Sequence, residues 1–275
     1  MDMFTAALKG NLKALKKIIN TDNINAGDKD GYTALHWASQ NGHVNIVRFL
    51  LANGANPNVI DYEGFTPIEV ATTHGNIEVV KALLAVETTD LSITRNGYTP
   101  LHSAAACGHL DILQLLISEG MDIECRDSGG VGYTPLHWAV QENHFDVTKF
   151  LVRRGANVNV KDADGFSALY IAASNGYIEI IGLLLSSGAE IDIKCEGSKN
   201  CTPLHIAVCY GHFDSVKMLI KHNASLNAID NNAQTSLHYA YINNHSEIIS
   251  VLEEHGADTT IKDSYGKLAS EYLDR

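Results

Sequence analysis

The 275-residue sequence lacks an apolar run of the roughly 20 residues that a membrane-spanning helix requires. Its first residues, Met1–Phe4, also lack the basic segment and following apolar stretch of a secretory signal, so we expect a cytoplasmic or nuclear protein. Basic residues are scarce, because 20 Lys and Arg stand against 32 Asp and Glu, which gives a formal net charge of −12. A chain of this charge repels phosphate backbones and anionic lipid surfaces, so we expect neither nucleic acid nor membrane as a partner.

The sequence also lacks the short motifs of common enzymes and metal sites. It contains no G-x-S-x-G, G-x-x-x-x-G-K-[ST] or H-E-x-x-H segment, so we predict no catalytic residue, no cofactor and no enzymatic activity. The five cysteines show no C-x-x-C spacing, which favours free thiols in a reducing compartment over a disulfide framework or a zinc site. There are 13 histidines, but most of them recur at fixed positions of a repeat, so we predict no metal site.

What the sequence does contain is a repeated six-residue segment, which in its fullest form reads glycine, an aromatic residue, threonine, proline, leucine and histidine. Seven copies begin at residues 31, 64, 97, 132, 165, 200 and 233, and a degenerate eighth begins at residue 266. The spacing is 33 residues, or 35 residues in two places. A period of this length indicates a stacked array in which each unit buries its apolar face against its neighbours.

The residues of each unit predict two short helices and a turn. Thr134 followed by Pro135 is typical of a helix start, because threonine caps the first turn and proline lacks an N–H that would otherwise be unpaired. Gly42 and its equivalents end this helix as left-handed residues. A second helix follows with apolar residues at helical spacing, such as Ile46 and Leu50, and a turn-rich segment then projects toward the next unit.

With its 33-residue period and its T-P-L-H-x-A signature, the sequence resembles the ankyrin repeat family over residues 3–275. The resemblance implies an all-α fold, an ankyrin-repeat solenoid of stacked helix-turn-helix units with projecting β-hairpin-like fingers. We expect a single domain over residues 1–275, with an N-terminal capping repeat at 1–27 and a truncated C-terminal cap at 263–275. The full repeats are expected at 28–60, 61–93, 94–126, 127–161, 162–194, 195–229 and 230–262.

The resemblance implies a non-enzymatic module that binds a protein or peptide partner on its concave face, as a scaffold, an adaptor or an inhibitor. We expect a monomer, and the sequence does not identify the partner. Two alternatives remain open. One is a secreted or delivered effector of an intracellular microbe that binds host proteins, which agrees with the abundance of Asn and Ile and the excess of Lys over Arg. The other is a receptor for a small molecule or a modified peptide.

In the family, the concave face is formed by the fingers and by the exposed end of each first helix. The residue after the finger glycine is aromatic in five consecutive repeats, and we expect these rings to form a partner-binding ladder with steps of about 10 Å. The alternative is that each ring packs, half buried, on the neighbouring finger. The ladder consists of Tyr32, Phe65, Tyr98, Tyr133 and Phe166.

Residues near the end of the first helix vary most between repeats, which is typical of a recognition surface built on a common scaffold. We expect several of them to contact the partner together with Arg95 of the third finger. They are Gln141, Glu142, Ser174, Asn175 and Tyr210.

Two departures from the repeat pattern lead to further predictions. The fingers at 127–131 and 195–199 each contain two extra residues, and because such insertions often lie on the binding face, we expect the partner to centre on residues 95–210. We also expect that shortening both fingers changes stability by no more than about 1 kcal/mol. Glu87 stands where a helix-ending glycine is expected, and we predict a distorted turn at 85–90 because glutamate adopts positive φ only at a cost.

Two sets of polar residues have roles that the resemblance implies. The histidine of each T-P-L-H segment is expected to bond to the threonine three residues before it and to the backbone. An asparagine eight residues after a second-helix leucine can be hydroxylated in the family, although we expect such residues to serve as hydrogen-bonding turn residues here. Asparagines at this spacing are Asn58, Asn159 and Asn227.

Overall fold

The structure of the protein, a computed structural model, describes residues 1–273, so the last two residues of the expected C-terminal cap lie outside the described residues. Within residues 1–273 the chain forms sixteen α-helices, two short 3-10 helices and five isolated antiparallel bridges. The predicted all-α repeat fold is therefore confirmed. The chain divides into two compact units, Met1–Gly130 and Val131–Arg275, and the expected single domain with its repeat boundaries stays a prediction.

The first unit is built from pairs of short helices. They are α1 (Met3–Leu8), α2 (Leu12–Ile18), α3 (Ala34–Gln40), α4 (Val44–Ala52), α5 (Pro67–Thr73), α6 (Ile77–Leu84), α7 (Pro100–Ala106) and α8 (Leu110–Ser118). The first helices of successive pairs pack on one another, α1 on α3, α3 on α5 and α5 on α7, and we call this the inner row. The second helices form an outer row, in which α4 packs on α6 and α6 on α8.

The second unit repeats this arrangement. Its helices are α9 (Pro135–Gln141), α10 (Phe145–Arg153), α11 (Ala168–Asn175), α12 (Ile178–Ser186), α13 (Pro203–Cys209), α14 (Phe213–Lys221), α15 (Ser236–Ile242) and α16 (Ser246–Glu254). The inner row runs through α9, α11, α13 and α15, and the outer row runs through α10, α12, α14 and α16. The 3-10 helix Ala269–Tyr272 packs on α15, and a second one, Glu196–Ser198, lies in a finger.

The inner helices begin at the predicted threonine caps. The Thr33 hydroxyl accepts the backbone N–H of His36 (3.3 Å), and the His36 ring accepts the N–H of Thr33 (3.2 Å). This reciprocal pair is a capping box, which satisfies N–H groups that the first helical turn leaves unpaired. Gly42 follows α3 with a φ of 70°, and Asn143 takes the equivalent place after α9 with a φ of 59°, a conformation that asparagine tolerates.

The core of each unit lies between its two rows. In the outer helix α4, one face carries the buried residues Ile46, Val47 and Leu50, and the inner helix α3, which packs on α4, contributes the buried Leu35. Burial of each such side chain contributes about 1.5–3 kcal/mol. Because a single helix pair leaves much of this apolar surface uncovered, the stacking of neighbouring pairs is what makes the fold stable.

The predicted distortion at 85–90 is confirmed. Glu87 does not adopt a positive φ, whereas glycines end the equivalent outer helices in that conformation. Instead, the Thr89 hydroxyl donates to the carbonyl of Leu83 (2.6 Å). The threonine thereby satisfies a helix-terminal carbonyl without a left-handed residue.

Candidate functional site

Each of five fingers is built around an aspartate. In the first, Asp28 Oδ1 accepts the backbone N–H groups of Asp30 (2.9 Å) and Tyr32 (3.0 Å), which closes a tight turn. The same two bonds form around Asp61, Asp162, Asp230 and Asp263. We did not predict these aspartates from the sequence, although an aspartate recurs three positions before the finger glycine or its substitute.

The second oxygen of this aspartate is bonded wherever the residue nine positions later is Trp or Tyr. Trp37 Nε1 donates to Asp28 Oδ2 (2.9 Å), and the Tyr239 hydroxyl donates to Asp230 Oδ2 (3.0 Å). Where an aliphatic residue stands there instead, as after Asp162, the second oxygen is buried and has no partner among the described residues. Burial raises the pKa of the Asp162 carboxyl accordingly.

Neighbouring fingers are joined through their backbones within each unit. In the first unit, the Tyr62 N–H donates to the carbonyl of Asp30 (3.1 Å). In the second unit, three such bonds of 2.8 Å run from Gly197 to Asp164, from Asn231 to Lys199 and from Ser264 to Asn232. These bonds align the fingers of a unit into one row, so their side chains keep a fixed spacing.

The third finger lacks the aspartate and closes differently. Asn96 and Gly97 both take positive φ (53° and 71°), as in a two-residue type I′ hairpin, and the Tyr98 N–H donates to the carbonyl of Arg95 (2.9 Å). The Arg95 guanidinium lies 5.1 Å from the ring centre of Phe65 in the preceding finger. The predicted contact residue Arg95 is exposed, and the cation–π contact with Phe65 positions its side chain.

The five rings of the predicted ladder are half buried. Four of them contact a ring of their own repeat, whereas Phe65 contacts Arg95 of the neighbouring finger. Tyr32 lies 5.2 Å from the His36 ring, and Phe166 lies 4.9 Å from the equivalent residue of its own helix. Tyr98 and Tyr133 each lie 5.4 Å from the histidine of their own segment. The half burial agrees with the packing alternative, and the Phe65–Arg95 contact joins neighbouring fingers, but the other four rings also pack on their own helices. The reason is that the residue just before the threonine cap lies over the first turn of its own helix.

The remaining predicted contact residues lie at the ends of α9, α11 and α13, all in the second unit. Glu142, Asn175 and Tyr210 are exposed, and Tyr210 retains 60% of its accessible surface. Gln141 and Ser174 are half buried. We define the inner face of a unit as its fingers together with the two residues that precede the left-handed residue at the end of each inner helix.

Three of the T-P-L-H histidines link their repeat to the next one. His205 Nδ1 lies 2.8 Å from the Thr202 hydroxyl, and its Nε2–H donates to the carbonyl of Gln234 in the following finger (3.1 Å). The predicted bond to the preceding threonine is therefore confirmed. Burial lowers the pKa of His205 to about 4, because a charged imidazole would lose its hydration there. Equivalent bonds are made by His36 and His238. His102 and His137 also bond to their threonines, but their second ring nitrogen bonds to the carbonyls of Cys125 and Val160 at the end of their own repeats.

Glu69 occupies this histidine position in the repeat that begins near residue 61. Its Oε2 accepts the N–H and the hydroxyl of Thr66 (2.8 and 2.9 Å). Its Oε1 is buried and, within residues 1–273, has no hydrogen-bond partner. Burial raises the pKa of Glu69, since no donor compensates for the lost hydration of that oxygen.

A second set of histidines links each repeat to the preceding one. His43 Nε2 donates to the carbonyl of Leu8 (3.0 Å), and His212 Nε2 donates to the carbonyl of Ser174 (2.9 Å). These carbonyls end inner helices, where C=O groups have no partner within the helix. The fixed position of these histidines was visible in the sequence, but their bonds were not. His109 and His245 make the same contact.

A family model described as "Ankyrin repeats (3 copies)" matches overlapping segments of the sequence, at residues 3–95, 62–127, 85–162, 125–195 and 169–263. The chain belongs to the ankyrin repeat family. Ankyrin repeats are protein–protein interaction modules and are generally not enzymes.

Three relatives share parts of this ankyrin array. An ankyrin repeat-containing protein of Schizosaccharomyces pombe is 31% identical over 107 residues, which are 38% of this chain and 49% of the relative. The ankyrin repeat and KH domain-containing protein mask of Drosophila melanogaster is 47% identical over 66 residues, 24% of this chain and 2% of the relative. The NF-kappa-B inhibitor cactus of the same organism is 35% identical over 98 residues, 35% of this chain and 19% of the relative. The matches thus span about half or less of each relative's length.

The long finger of the sixth full ankyrin repeat, at 195–199, has a partner inside the array. Tyr170 takes the T-P-L-H histidine position of the preceding repeat, and the Ser198 side chain interacts with its hydroxyl. The Gly197 N–H donates to the carbonyl of Asp164 in that repeat (2.8 Å). Gly197 lies so close to the carbonyl of Asp164 that a Cβ would not fit. The long finger is therefore tied to the preceding repeat, and its role in binding a partner stays a prediction.

The asparagines in the loops between ankyrin repeats make the expected turn hydrogen bonds. Asn58 Oδ1 accepts the N–H of Asp90 (2.9 Å), and its Nδ2 donates to the carbonyl of Thr88 (2.6 Å). Asn159 and Asn227 bond in the same way to the loop of the following repeat. Hydroxylation of these residues stays a prediction.

Acidic residues recur on the outer row of the ankyrin array. In six outer helices the second residue is an exposed aspartate or glutamate, where the positive end of the helix dipole stabilises a carboxylate. These residues are Glu78, Asp111, Asp146, Glu179, Asp214 and Glu247. Among the described residues, no three His, Cys, Asp or Glu side chains are grouped to hold a metal ion. None of the helices in residues 1–273 combines the length and hydropathy that crossing a bilayer would need.

Proposed function

We propose that this chain is a non-enzymatic module whose inner face, the concave face of the family, binds a protein or peptide partner. The observation that carries the proposal is a contrast within the inner helices. The recurring residues are buried and hydrogen-bonded, whereas Glu142, Asn175 and Tyr210, which differ between repeats, project into solvent. Exposed tyrosine is typical of binding anchors.

The hydrogen bonds between fingers and between repeats support the same proposal. They hold the inner face of each unit in one conformation before a partner arrives. Binding to such a surface orders few side chains and therefore loses little conformational entropy. A monomer in the cytoplasm or the nucleus, without nucleic acid or membrane as a partner, is part of this proposal.

The relatives support an interaction role without identifying the partner. Cactus is named as an NF-kappa-B inhibitor, and inhibition by binding is one role that an array of this kind can fill. The half-buried rings speak against the alternative of a receptor that cages a cation. Such a cage needs rings that converge within about 6 Å of one point, whereas four of the five rings here each lie against their own helix.

The proposal is tested by photo-crosslinking from the inner face. One protein carries p-benzoylphenylalanine in place of Tyr210, and a matched control carries it in place of Lys217, which is exposed on the outer helix α14. Both are irradiated in a lysate of the organism from which the sequence comes. We expect a crosslinked protein from position 210 that position 217 does not yield.

Competition makes this experiment specific. An excess of the unlabelled wild-type chain should suppress the crosslink from position 210, whereas an excess of the Tyr210→Ser variant should suppress it much less. Equal crosslinking from both positions, or suppression by both competitors alike, would contradict binding at the inner face.

A further inference from the structure

The inner face of the second unit is close to electrically neutral, although the whole chain has a formal charge of −12. Its four complete fingers, at 161–166, 194–201, 229–234 and 262–267, contain five lysines and five acidic residues. The helix-end positions of this face contain one charged residue, Glu142. These positions are Gln141, Glu142, Ser174, Asn175, Cys209, Tyr210, Ile242 and Asn243.

Two of the finger lysines are held by the neighbouring finger. Lys161 Nζ donates to the carbonyl of Lys194 (2.8 Å) and to the carboxylate of Glu196 (3.0 Å). Lys194 Nζ in turn donates to the carbonyl of Ile229 (3.0 Å). Because these ammonium groups already bond to the fold, they are poorly placed to recognise an acidic partner. The outer helices of this unit, in contrast, present a column of carboxylates.

Asparagine amides at the helix ends are oriented by the helices themselves. Asn175 Nδ2 donates to the carbonyl of Ile171 (3.0 Å), and Asn243 Nδ2 donates to the carbonyl of Tyr239 (2.8 Å). A carbonyl only accepts, so the nitrogen of each amide is fixed on the helix and the side-chain oxygen is left on the exposed side. Two acceptors with no net charge suit the N–H groups of a peptide backbone better than they suit an ion.

Two large apolar side chains are exposed at the helix ends of the same unit. Tyr210 retains 60% of its surface and Ile242 retains 43%, in a fold whose other inner-row apolar residues are mostly buried. They stand at the ends of α13 and α15, which pack directly on each other. A pair of exposed apolar side chains in neighbouring repeats is the arrangement that receives an anchor side chain of a partner.

The repeat spacing sets a register for such a partner. Packed helices lie about 8–10 Å apart, and an extended chain rises about 3.3 Å per residue, so every third residue meets an equivalent position. The stretch from α9 to α15 covers three such steps, or about nine residues of extended chain.

We infer that the inner face of the second unit binds an extended, uncharged segment of a protein partner, anchored by a large apolar side chain on Tyr210 and Ile242. The inference rests on the proposed function of this face and adds the chemistry of the partner. The segment is about nine residues long, its backbone N–H groups bond to the asparagine oxygens, and its apolar residues recur at every third position.

The test is a selection of random peptides of about twelve residues, long enough for the expected register, on the immobilised full-length chain. We expect the enriched peptides to have a net charge near zero and a large apolar residue. Their affinity should change less than about twofold between about 50 mM and 500 mM NaCl, because screening acts on charge pairs and not on apolar contacts.

Variants then locate the binding. Tyr210→Ser and Ile242→Ser should each weaken an enriched peptide by about tenfold or more, as is usual for a central anchor. The matched control, Met218→Ser, removes a half-buried apolar side chain from the outer helix α14 and should leave the affinity unchanged.

The outcomes separate this inference from the proposed function. If acidic or basic peptides are enriched and their binding still depends on Tyr210, the inference that the bound segment is uncharged would be wrong. The proposed function, binding at the inner face, would still stand. Enriched peptides that are insensitive to Tyr210→Ser and Ile242→Ser, or no enrichment above an unrelated protein, would overturn the inference itself. The crosslinking experiment would then decide the proposed function separately.

Discussion

Acidification should weaken the second unit through one buried histidine. His205 is fully buried, and its two ring nitrogens are occupied by Thr202 and by the carbonyl of Gln234. Burial lowers the pKa of His205 from its usual 6.5 to about 4. The unfolded chain therefore takes up the proton first, so the stability that neutral His205 provides is complete above pH 6.5 and is lost as the pH falls toward 4.

The magnitude follows from the two pKa values of His205. A shift from 6.5 to about 4 corresponds to about 3 kcal/mol once both the folded and the unfolded states are protonated. At about pH 5 the unfolded histidine is mostly charged and the folded one mostly neutral, so the free energy of unfolding is lower by about 2 kcal/mol than at about pH 7.5.

Urea unfolding at these two pH values measures the effect. The sequence has two tryptophans, so a Trp37→Phe background leaves Trp138 as the only indole, and its fluorescence reports on the second unit. In this background, His205→Gln should have a lower free energy of unfolding than its parent at both pH values. On acidification, its free energy of unfolding should fall by about 2 kcal/mol less than that of the parent. His222→Gln is the control, because that histidine is exposed. An equal pH dependence in the parent and in His205→Gln would refute the reasoning.

Three further substitutions test other contacts. Glu69→His supplies the ring N–H that five other repeats use, so the urea midpoint at about pH 7.5 should rise by the equivalent of about 1 kcal/mol, and a fall would contradict the role of that position. Tyr239→Phe leaves the second oxygen of Asp230 unpaired and should reduce the free energy of unfolding by about 1–3 kcal/mol; an unchanged calorimetric midpoint would show that this bond is unimportant. Thr89→Val removes the 2.6 Å bond to Leu83 and should speed amide exchange at 84–90, whereas exchange as slow as in the wild type would mean that the turn does not need the hydroxyl.

The features that sequence analysis predicted correctly are those that recur. Threonine caps, left-handed glycines and the histidine bonded to its threonine stand at the same place in repeat after repeat, so a single physical reading explains every copy. The distorted turn at Glu87 was predictable for the complementary reason, because one residue breaks a rule that the other copies obey. Local backbone rules were sufficient in both cases.

Contacts that depend on how fingers and helices pack were not predictable in the same way. The finger aspartates recur, but only the structure shows that Trp37 and Tyr239 complete their bonding from nine residues away. The same holds for His43, whose ring bonds to the carbonyl of Leu8 in the preceding repeat. Such bonds depend on how a finger folds onto its helix and on how the helices stack, which local backbone rules do not specify.

The same division between local and inter-repeat contacts indicates where specificity can change in this chain. A recurring residue such as His205 bonds to two neighbours, so its replacement reduces the stability of the fold more than it changes the binding of a partner. An exposed residue such as Asn175 or Tyr210 contributes little to the core, and substitutions at such surface positions usually change stability by about 0.5 kcal/mol or less. Binding can therefore diverge at the helix ends while the array stays folded, because the bonds that stack the repeats are made elsewhere.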